Sequence, residues 1–139
     1  MERVRQRRAR PLPDEALLLR MHPHERALLR EVSLCSDGHP VVFAHSVLPR
    51  SSLRGAWHGL GRLGIKPLGA ALFANPHVIR KPLAFRKLLP HHALYARAVE
   101  LLAERPDCLW ARRSLFLLNN SPILVTEVFL PGVLERCKP

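Results

Sequence analysis

Three stretches of the sequence combine strand-like alternation with one polar or charged side chain on their apolar side. Successive side chains of a strand point to opposite faces, so residues two positions apart share a face. The polar members are Arg30 within 28–35, His45 within 41–47 and Glu127 within 123–130. A buried guanidinium or carboxylate is costly unless it meets a counter-charge or hydrogen-bond partners. Three such placements predict a polar pocket inside a sheet, with a cationic end for an acid and a carboxylate at the other end.

Each of these residues also has a purely structural interpretation. Arg30 and Glu127 would satisfy each other as a buried salt bridge, and His45 would be a hydrogen-bonded core histidine. Arg112 and Arg113 open a later strand with side chains on opposite faces. One of the two must then face solvent or an acid, while the other lines the pocket. The pattern leaves these alternatives open.

Other reactive residue types do not form a recognisable catalytic or metal-binding pattern. The eight histidines include two close pairs, His22 with His24 and His91 with His92, and neither has the helical i, i+4 spacing of zinc hydrolases. The three cysteines are too widely spaced for a CxxC metal pair, and their odd number argues against a disulfide framework. We therefore expect no metal site and no phosphate-binding glycine loop.

The composition is that of one globular domain spanning residues 1–139. Of the residues, 47% are hydrophobic and 24% are charged. No apolar run approaches the roughly 20 residues of a membrane span, and the first ten residues lack the apolar middle of a signal peptide. These features predict a cytoplasmic protein without a membrane span. Residues 132–139 are expected to form a loosely held tail.

The formal charge of +11 would attract polyanions, and five arginines lie within the first ten residues. A basic tail that contacts nucleic acid is one interpretation. The remaining basic residues are scattered, however, with little aromatic interleaving and no helix-turn-helix or zinc-finger pattern. We therefore expect no nucleic-acid partner. The same field would gather small dicarboxylic acids.

Turn and capping signals divide the chain into the elements of an α+β domain. Strands are predicted at 27–35, 40–48, 109–118 and 123–130, an irregular strand within 77–90, and helices at 51–63, 67–73 and 94–104. Asp37-Gly38 and the segment 119–122 predict the turns of two hairpins. The start, around Val4, is a short edge strand or an irregular segment. Two hairpins around a helical middle predict a largely antiparallel sheet with helices packed on one side.

Several motifs occur in an order that resembles one known family. They are Arg30-Glu-Val-Ser-Leu-Cys-Ser-Asp-Gly38, Val47-Leu-Pro49, Leu63-Gly64 with Pro67-Leu68-Gly69, Leu109-Trp-Ala-Arg-Arg-Ser114 and Leu124-Val-Thr-Glu-Val-Phe-Leu-Pro131. From about residue 27 to 131, the chain resembles chorismate lyase (chorismate–pyruvate lyase). The resemblance implies an antiparallel sheet with helices on one side, enclosing a buried site. It also implies a reaction without metal or cofactor, in which chorismate loses pyruvate and gives 4-hydroxybenzoate, the first step of bacterial ubiquinone synthesis.

The resemblance carries roles to four positions. Arg30 matches the arginine that holds the ring carboxylate, Leu68 supplies a backbone contact to the same carboxylate, and Glu127 lies near the ring hydroxyl. His45 stands where other members carry a second arginine that contacts the leaving enolpyruvyl part. The expected catalytic residues are thus Arg30, His45 and Glu127, and the expected substrate-binding residues are Arg30, Leu68 and Glu127. A bidentate guanidinium–carboxylate contact suits a planar benzoate.

The resemblance also bears on organisation and on a rival function. Family members carry a further N-terminal helical segment that covers the site, and nothing here aligns with it, so the chain looks shortened at its start. A monomer with chorismate and 4-hydroxybenzoate as its only partners is expected. The rival is a non-catalytic, effector-sensing domain of the same fold, as found in some transcription regulators. A degenerate lyase that binds a benzoate without turnover is a third alternative.

Overall fold

The computed structural model describes residues 2–22, 24–60 and 68–132, which form a six-stranded antiparallel sheet and four short helices. The strands are β1 (Glu2–Ala9), β2 (Ala27–Ser36), β3 (His39–Pro49), β4 (Ile79–Leu88), β5 (Leu109–Leu118) and β6 (Ser121–Phe129). The helices are α1 (Pro13–Leu18), α2 (Arg50–Arg54), α3 (Leu68–Ala74) and α4 (Ala93–Ala98). The strand order across the sheet is β1-β2-β3-β6-β5-β4.

Two tight turns build the hairpins that supply the four inner strands. Asp37 and Gly38, between β2 and β3, have φ values of 51° and 79°. Asn119 and Asn120, between β5 and β6, have φ values of 49° and 64°. Two successive residues with positive φ are the signature of the type I′ turn, whose twist matches that of the strands. Both predicted hairpins are therefore confirmed.

The pairing register sorts the side chains onto two faces. One cross-strand row runs from Arg30 on β2 through Ser46, Val125 and Ser114. The neighbouring row on the other side of the sheet contains Glu31, His45 and Thr126. We call the side that carries Arg30 the cavity face and the opposite side the back face.

Hydrophobic clusters attach helices to both faces. On the back face, α1 packs through Ala16 and α4 packs through Leu94, Tyr95 and Ala98. On the cavity face, Leu68 and Leu72 of α3 pack with Trp57 and with strand residues such as Phe116. The α+β fold with an antiparallel sheet is confirmed. Helices were expected on one side of the sheet, and α1 and α4 form such a layer on the back face. In addition, α2 and α3 lie over the cavity face.

The two longer predicted helices are shorter in the structure. The helix expected over 51–63 begins at Arg50 and ends at Arg54, since Gly55 follows with a backbone that is not helical. Its last expected residues fall within 61–67, outside the described residues. The start of the helix expected over 67–73 and residues 133–139 of the expected tail also lie outside them. The helix expected over 94–104 ends at Ala98, because Val99 to Leu102 continue as separate turns.

The ambiguous start forms the edge strand β1. It pairs antiparallel with β2, with Gln6 opposite Arg30. The arginine-rich segment is thus part of the sheet. The irregular strand expected within 77–90 is β4, whose pairing with β5 shifts between Pro82 and Ala84.

Candidate active site

A cavity of about 310 Å³ lies on the cavity face, between the sheet and α3. Its size falls within the usual range for small-molecule sites. The lining is mostly apolar, with a few polar groups. The polar and charged lining residues are Arg30, Ser46, Arg80, Arg112 and Glu127. The apolar ones include Val32, Ala44, Leu68, Leu72, Phe116 and Val125.

Arg30 places a fixed positive charge at the β2 side of this cavity. Arg30 is 1% exposed, and its Nη1 donates a 2.8 Å hydrogen bond to Oε1 of Gln6 on β1. A guanidinium remains protonated in proteins, so burial cannot neutralise it. Because charge interactions strengthen away from water, a carboxylate in the cavity would be attracted strongly.

Glu127 is held by Arg112, its cross-strand partner on β5. Nε and Nη2 of Arg112 donate to Oε1 of Glu127 at 3.0 and 2.7 Å. The other oxygen, Oε2, receives no hydrogen bond from the part of the chain that the structure describes. The pairing with Arg112 keeps the carboxylate in one orientation and leaves one oxygen for a ligand.

Arg80 on β4 is a third cavity arginine, which the sequence did not single out. Its Nε and Nη2 donate to Oγ of Ser114 at 3.2 and 3.1 Å, and its guanidinium carbon lies 5.5 Å from the centre of the Phe116 ring. Nη2 also lies 3.8 Å from Oε1 of Glu127. The signal in the sequence was weak, because the register shift at Pro82 interrupts the alternation of β4.

Leu68 belongs to the same cavity. It is a buried residue at the start of the described part of α3 and lines the cavity together with Arg30 and Glu127. The structure therefore brings three of the four predicted site residues into one cavity. Their individual roles stay predictions.

His45 does not belong to this cavity, and the prediction that it shares a pocket with Arg30 is wrong. Its ring lies on the back face, with Nε2 3.0 Å from Oε2 of Glu15 and Nδ1 2.8 Å from Oε2 of Glu31. Arg97 on α4 completes the cluster, with Nη1 3.0 Å from Oε2 of Glu31. His45 joins α1 to the sheet, which matches the alternative of a core histidine.

The two carboxylates keep His45 charged. Burial by itself lowers the pKa of the imidazole, but the adjoining Glu15 and Glu31 outweigh it and raise the pKa from 6.5 to about 9. At neutral pH both ring nitrogens therefore carry protons and face an acidic partner. The cluster is a buried ion-pair network that fixes α1 on the sheet.

The neighbouring arginines of β5 divide as their alternation predicted. Arg112 lines the cavity, whereas Arg113 lies on the back face and pairs with Asp14 of α1, with Nη2 2.8 Å from Oδ2. Arg113 therefore serves as a second link between α1 and the sheet.

Across residues 2–22, 24–60 and 68–132, no three His, Cys, Asp or Glu side chains come close enough to hold a metal ion. Within the same residues, no helix has the length and apolar character needed to cross a membrane. Cys35 and Cys108 are free thiols, both half-buried.

Comparisons with known proteins identify the family. The family model described as chorismate lyase matches residues 11–138. A probable chorismate pyruvate-lyase of Nitrosomonas europaea is 56% identical over 120 residues, covering 86% of this chain and 67% of the relative. That of Aromatoleum aromaticum is 56% identical over 132 residues, covering 94% and 71%.

Solved structures support the same fold at much lower identity. The C-terminal domain of a histidine utilization repressor from Pseudomonas syringae gives a TM-score of 0.68 at 12% identity, covering 95% of this chain and 93% of that one. The ligand-binding domain of a putative GntR-family regulator from Bordetella bronchiseptica gives 0.64 at 18% identity, covering 94% and 84%. These likenesses concern the fold alone, whereas the family match extends through the cavity residues. The chain belongs to the chorismate lyase family.

Proposed function

We propose that the protein is a chorismate pyruvate-lyase that converts chorismate to 4-hydroxybenzoate and pyruvate. The observation that carries this proposal is the charge balance of the cavity. Among the described lining residues, three guanidinium groups face one carboxylate, an excess of two positive charges. Chorismate carries two carboxylates. The family membership supplies the reaction class, and the cavity fits a small dianionic substrate.

Arg30 binds the ring carboxylate in this proposal. A guanidinium offers two parallel N–H donors that match the two oxygens of a planar acid. The ring then lies on the apolar wall formed by Val32, Leu72 and Val125, with Leu68 contributing a backbone contact. This apolar wall excludes water and holds the ring in one orientation, which lowers the entropic part of the barrier.

Glu127 acts at the opposite side of the ring. Its Oε2 accepts the hydrogen bond of the ring hydroxyl, while Arg112 holds Oε1. During the reaction, the bond between the ring and the ether oxygen breaks and its electron pair leaves with that oxygen. The ring carbon that bears the hydroxyl loses its proton, which makes the ring aromatic. In the proposed binding pose, Glu127 lies beside this carbon and receives the proton.

The last chemical step is protonation of the leaving group. The departing enolpyruvate takes a proton on its methylene carbon and becomes pyruvate. Aromatisation supplies the driving force, so the protein mainly orients the ring and stabilises negative charge on the departing oxygen. We infer that no cofactor is required and that 4-hydroxybenzoate enters ubiquinone synthesis. The protein acts as a monomer in this proposal.

The test is a direct assay with matched arginine variants. Purified protein is mixed with chorismate, and 4-hydroxybenzoate and pyruvate are measured separately. Arg30→Met should lower kcat/KM by at least about 100-fold, since two charge-assisted hydrogen bonds are each worth about 1.5–3 kcal/mol. Arg113→Met removes an arginine from the back face and is the control, with activity close to that of the unaltered protein. Folded protein that forms neither product, or an active Arg30→Met, would overturn the proposal.

The effector-sensing alternative receives less support. Regulator domains share the fold at 11–18% identity, whereas curated lyase relatives reach 44–56%. A protein that binds 4-hydroxybenzoate tightly without consuming chorismate would favour that alternative.

A further inference from the structure

Building on the proposed function, we propose that Arg80 binds the carboxylate of the enolpyruvyl group and thereby selects a substrate with two acids. The second carboxylate of chorismate needs a cationic partner within the cavity. His45 and Arg113 lie on the back face and are ruled out as direct contacts. Of the described lining residues, Arg80 and Arg112 remain once Arg30 holds the ring acid.

The existing contacts distinguish Arg80 from Arg112. Arg112 already donates two short hydrogen bonds to a carboxylate, that of Glu127. Arg80 donates to a neutral hydroxyl, that of Ser114, and its distance of 3.8 Å to Glu127 is too long for a hydrogen bond. Nη1 of Arg80 donates no hydrogen bond to any of the described residues. The positive charge of Arg80 is therefore the less neutralised of the two.

The order of groups across the sheet matches the order of groups on the substrate. Arg30 lies on β2 and Arg80 on β4, four strand spacings away, which separates their backbones by about 19 Å. Glu127 on β6 lies between them, two strands from each, and its Oε1 is 3.8 Å from Nη2 of Arg80. In chorismate the ring carboxylate stands opposite the hydroxyl, and the enolpyruvyl ether occupies the carbon next to that hydroxyl. The ring acid, the hydroxyl and the enolpyruvyl group would therefore meet Arg30, Glu127 and Arg80, in that spatial order.

The guanidinium of Arg80 is held in place before any ligand arrives. Two of its nitrogens donate to Ser114, which is 1% exposed, and its plane lies near the Phe116 ring. The side chain of Arg80 is 34% exposed, so a bound acid would remove much of its remaining contact with water. A preorganised donor loses little entropy on binding. It would also be positioned to stabilise negative charge on the departing enolpyruvate.

Binding of the product distinguishes a contact to the ring acid from a contact to the enolpyruvyl acid, because 4-hydroxybenzoate lacks the enolpyruvyl group. Arg80→Met should leave the Kd for 4-hydroxybenzoate within about twofold of the unaltered value while lowering kcat/KM for chorismate by about 10- to 100-fold. Arg30→Met should weaken both, since both ligands carry the ring acid. Arg80→Lys keeps the charge and should recover part of the lost activity. Arg86→Met, on the back-face side of the same strand, is the control for altering β4.

Each outcome decides between the two proposals. If the unaltered protein neither binds 4-hydroxybenzoate nor consumes chorismate, the proposed function fails. If the unaltered protein is active and Arg80→Met weakens both ligands equally, or weakens neither, the assignment of Arg80 is overturned. An unfolding curve for each variant shows whether a loss of activity reflects lost structure, and Arg80→Lys then provides the second measurement.

Discussion

Replacing His45 with alanine tests whether this residue stabilises the fold or takes part in chemistry. His45 is 1% exposed, Glu15 is 0% exposed and Glu31 is 5% exposed, so His45→Ala would leave Glu15 buried without its cationic partner and Glu31 paired with Arg97 alone. Removing one partner of a buried ion pair costs about 3–5 kcal/mol. For a chain of this size, the loss corresponds to a fall in Tm of about 10–17 °C.

Urea unfolding followed by circular dichroism measures this loss. The control is Arg97→Ala, which removes a half-exposed partner of Glu31 and should cost no more than about 1 kcal/mol. His45→Arg keeps a positive charge between the two carboxylates and should cost less than alanine. Because His45 lies outside the cavity, kcat per folded molecule should stay within a few-fold for all three variants.

The opposite pattern would refute this reasoning. If His45→Ala leaves the free energy of unfolding unchanged and lowers kcat by orders of magnitude, His45 contacts the substrate and its placement on the back face is wrong.

Three further predictions concern the same sheet. The pKa of His45 is raised from 6.5 to about 9, so its charged form stabilises the fold fully below about pH 6.5. This stabilisation is lost as the pH rises through about 9, and the free energy of unfolding should fall by about 3 kcal/mol across that window. The fall should be absent in His45→Ala. Ala44→Leu adds bulk to the cavity wall beside Glu127 and should weaken binding of 4-hydroxybenzoate at least tenfold by calorimetry, with unfolding changed by no more than about 1–3 kcal/mol. Gly38→Ala should cost about 1 kcal/mol in urea unfolding, because a Cβ there meets no atom within 4 Å and only the φ of 79° opposes it.

The hairpins could be predicted because their turns are encoded locally. A two-residue turn at Asn119-Asn120 fixes the register of β5 on β6, and counting back from it pairs Arg112 with Glu127. The turn expected over 119–122 is two residues longer than the observed one, so neither this register nor the ion pair followed from the expectation. The helices were harder, since their ends depend on packing and on glycines such as Gly55 rather than on a strong capping signal.

The error over His45 has a specific physical cause. Counting back from the Asp37-Gly38 turn pairs Cys35 with Pro40 and would pair Arg30 with His45, placing both on the cavity face. A β-bulge between Leu34 and Cys35 shifts the register by one residue, so Arg30 pairs with Ser46 instead. A slip of one residue moves a whole strand to the opposite face. Alternation within a strand shows which residues share a face, but it does not reveal such a bulge.

The bulge also determines how charged side chains are distributed between the two faces of the sheet. On the back face, three cationic groups meet three acidic ones at 2.8–3.0 Å; they are His45, Arg97 and Arg113 with Asp14, Glu15 and Glu31. On the cavity face, Arg30, Arg80 and Arg112 meet Glu127 alone among the described charged residues of the lining. These back-face groups thus balance one another, whereas the cavity lining keeps an excess of positive charge. If His45 lay on the cavity face, Glu15 and Glu31 would lose their central cation, and α1 would lose one of its two ion-pair links to the sheet. The same register that stabilises the fold therefore leaves the cavity arginines able to bind an acid.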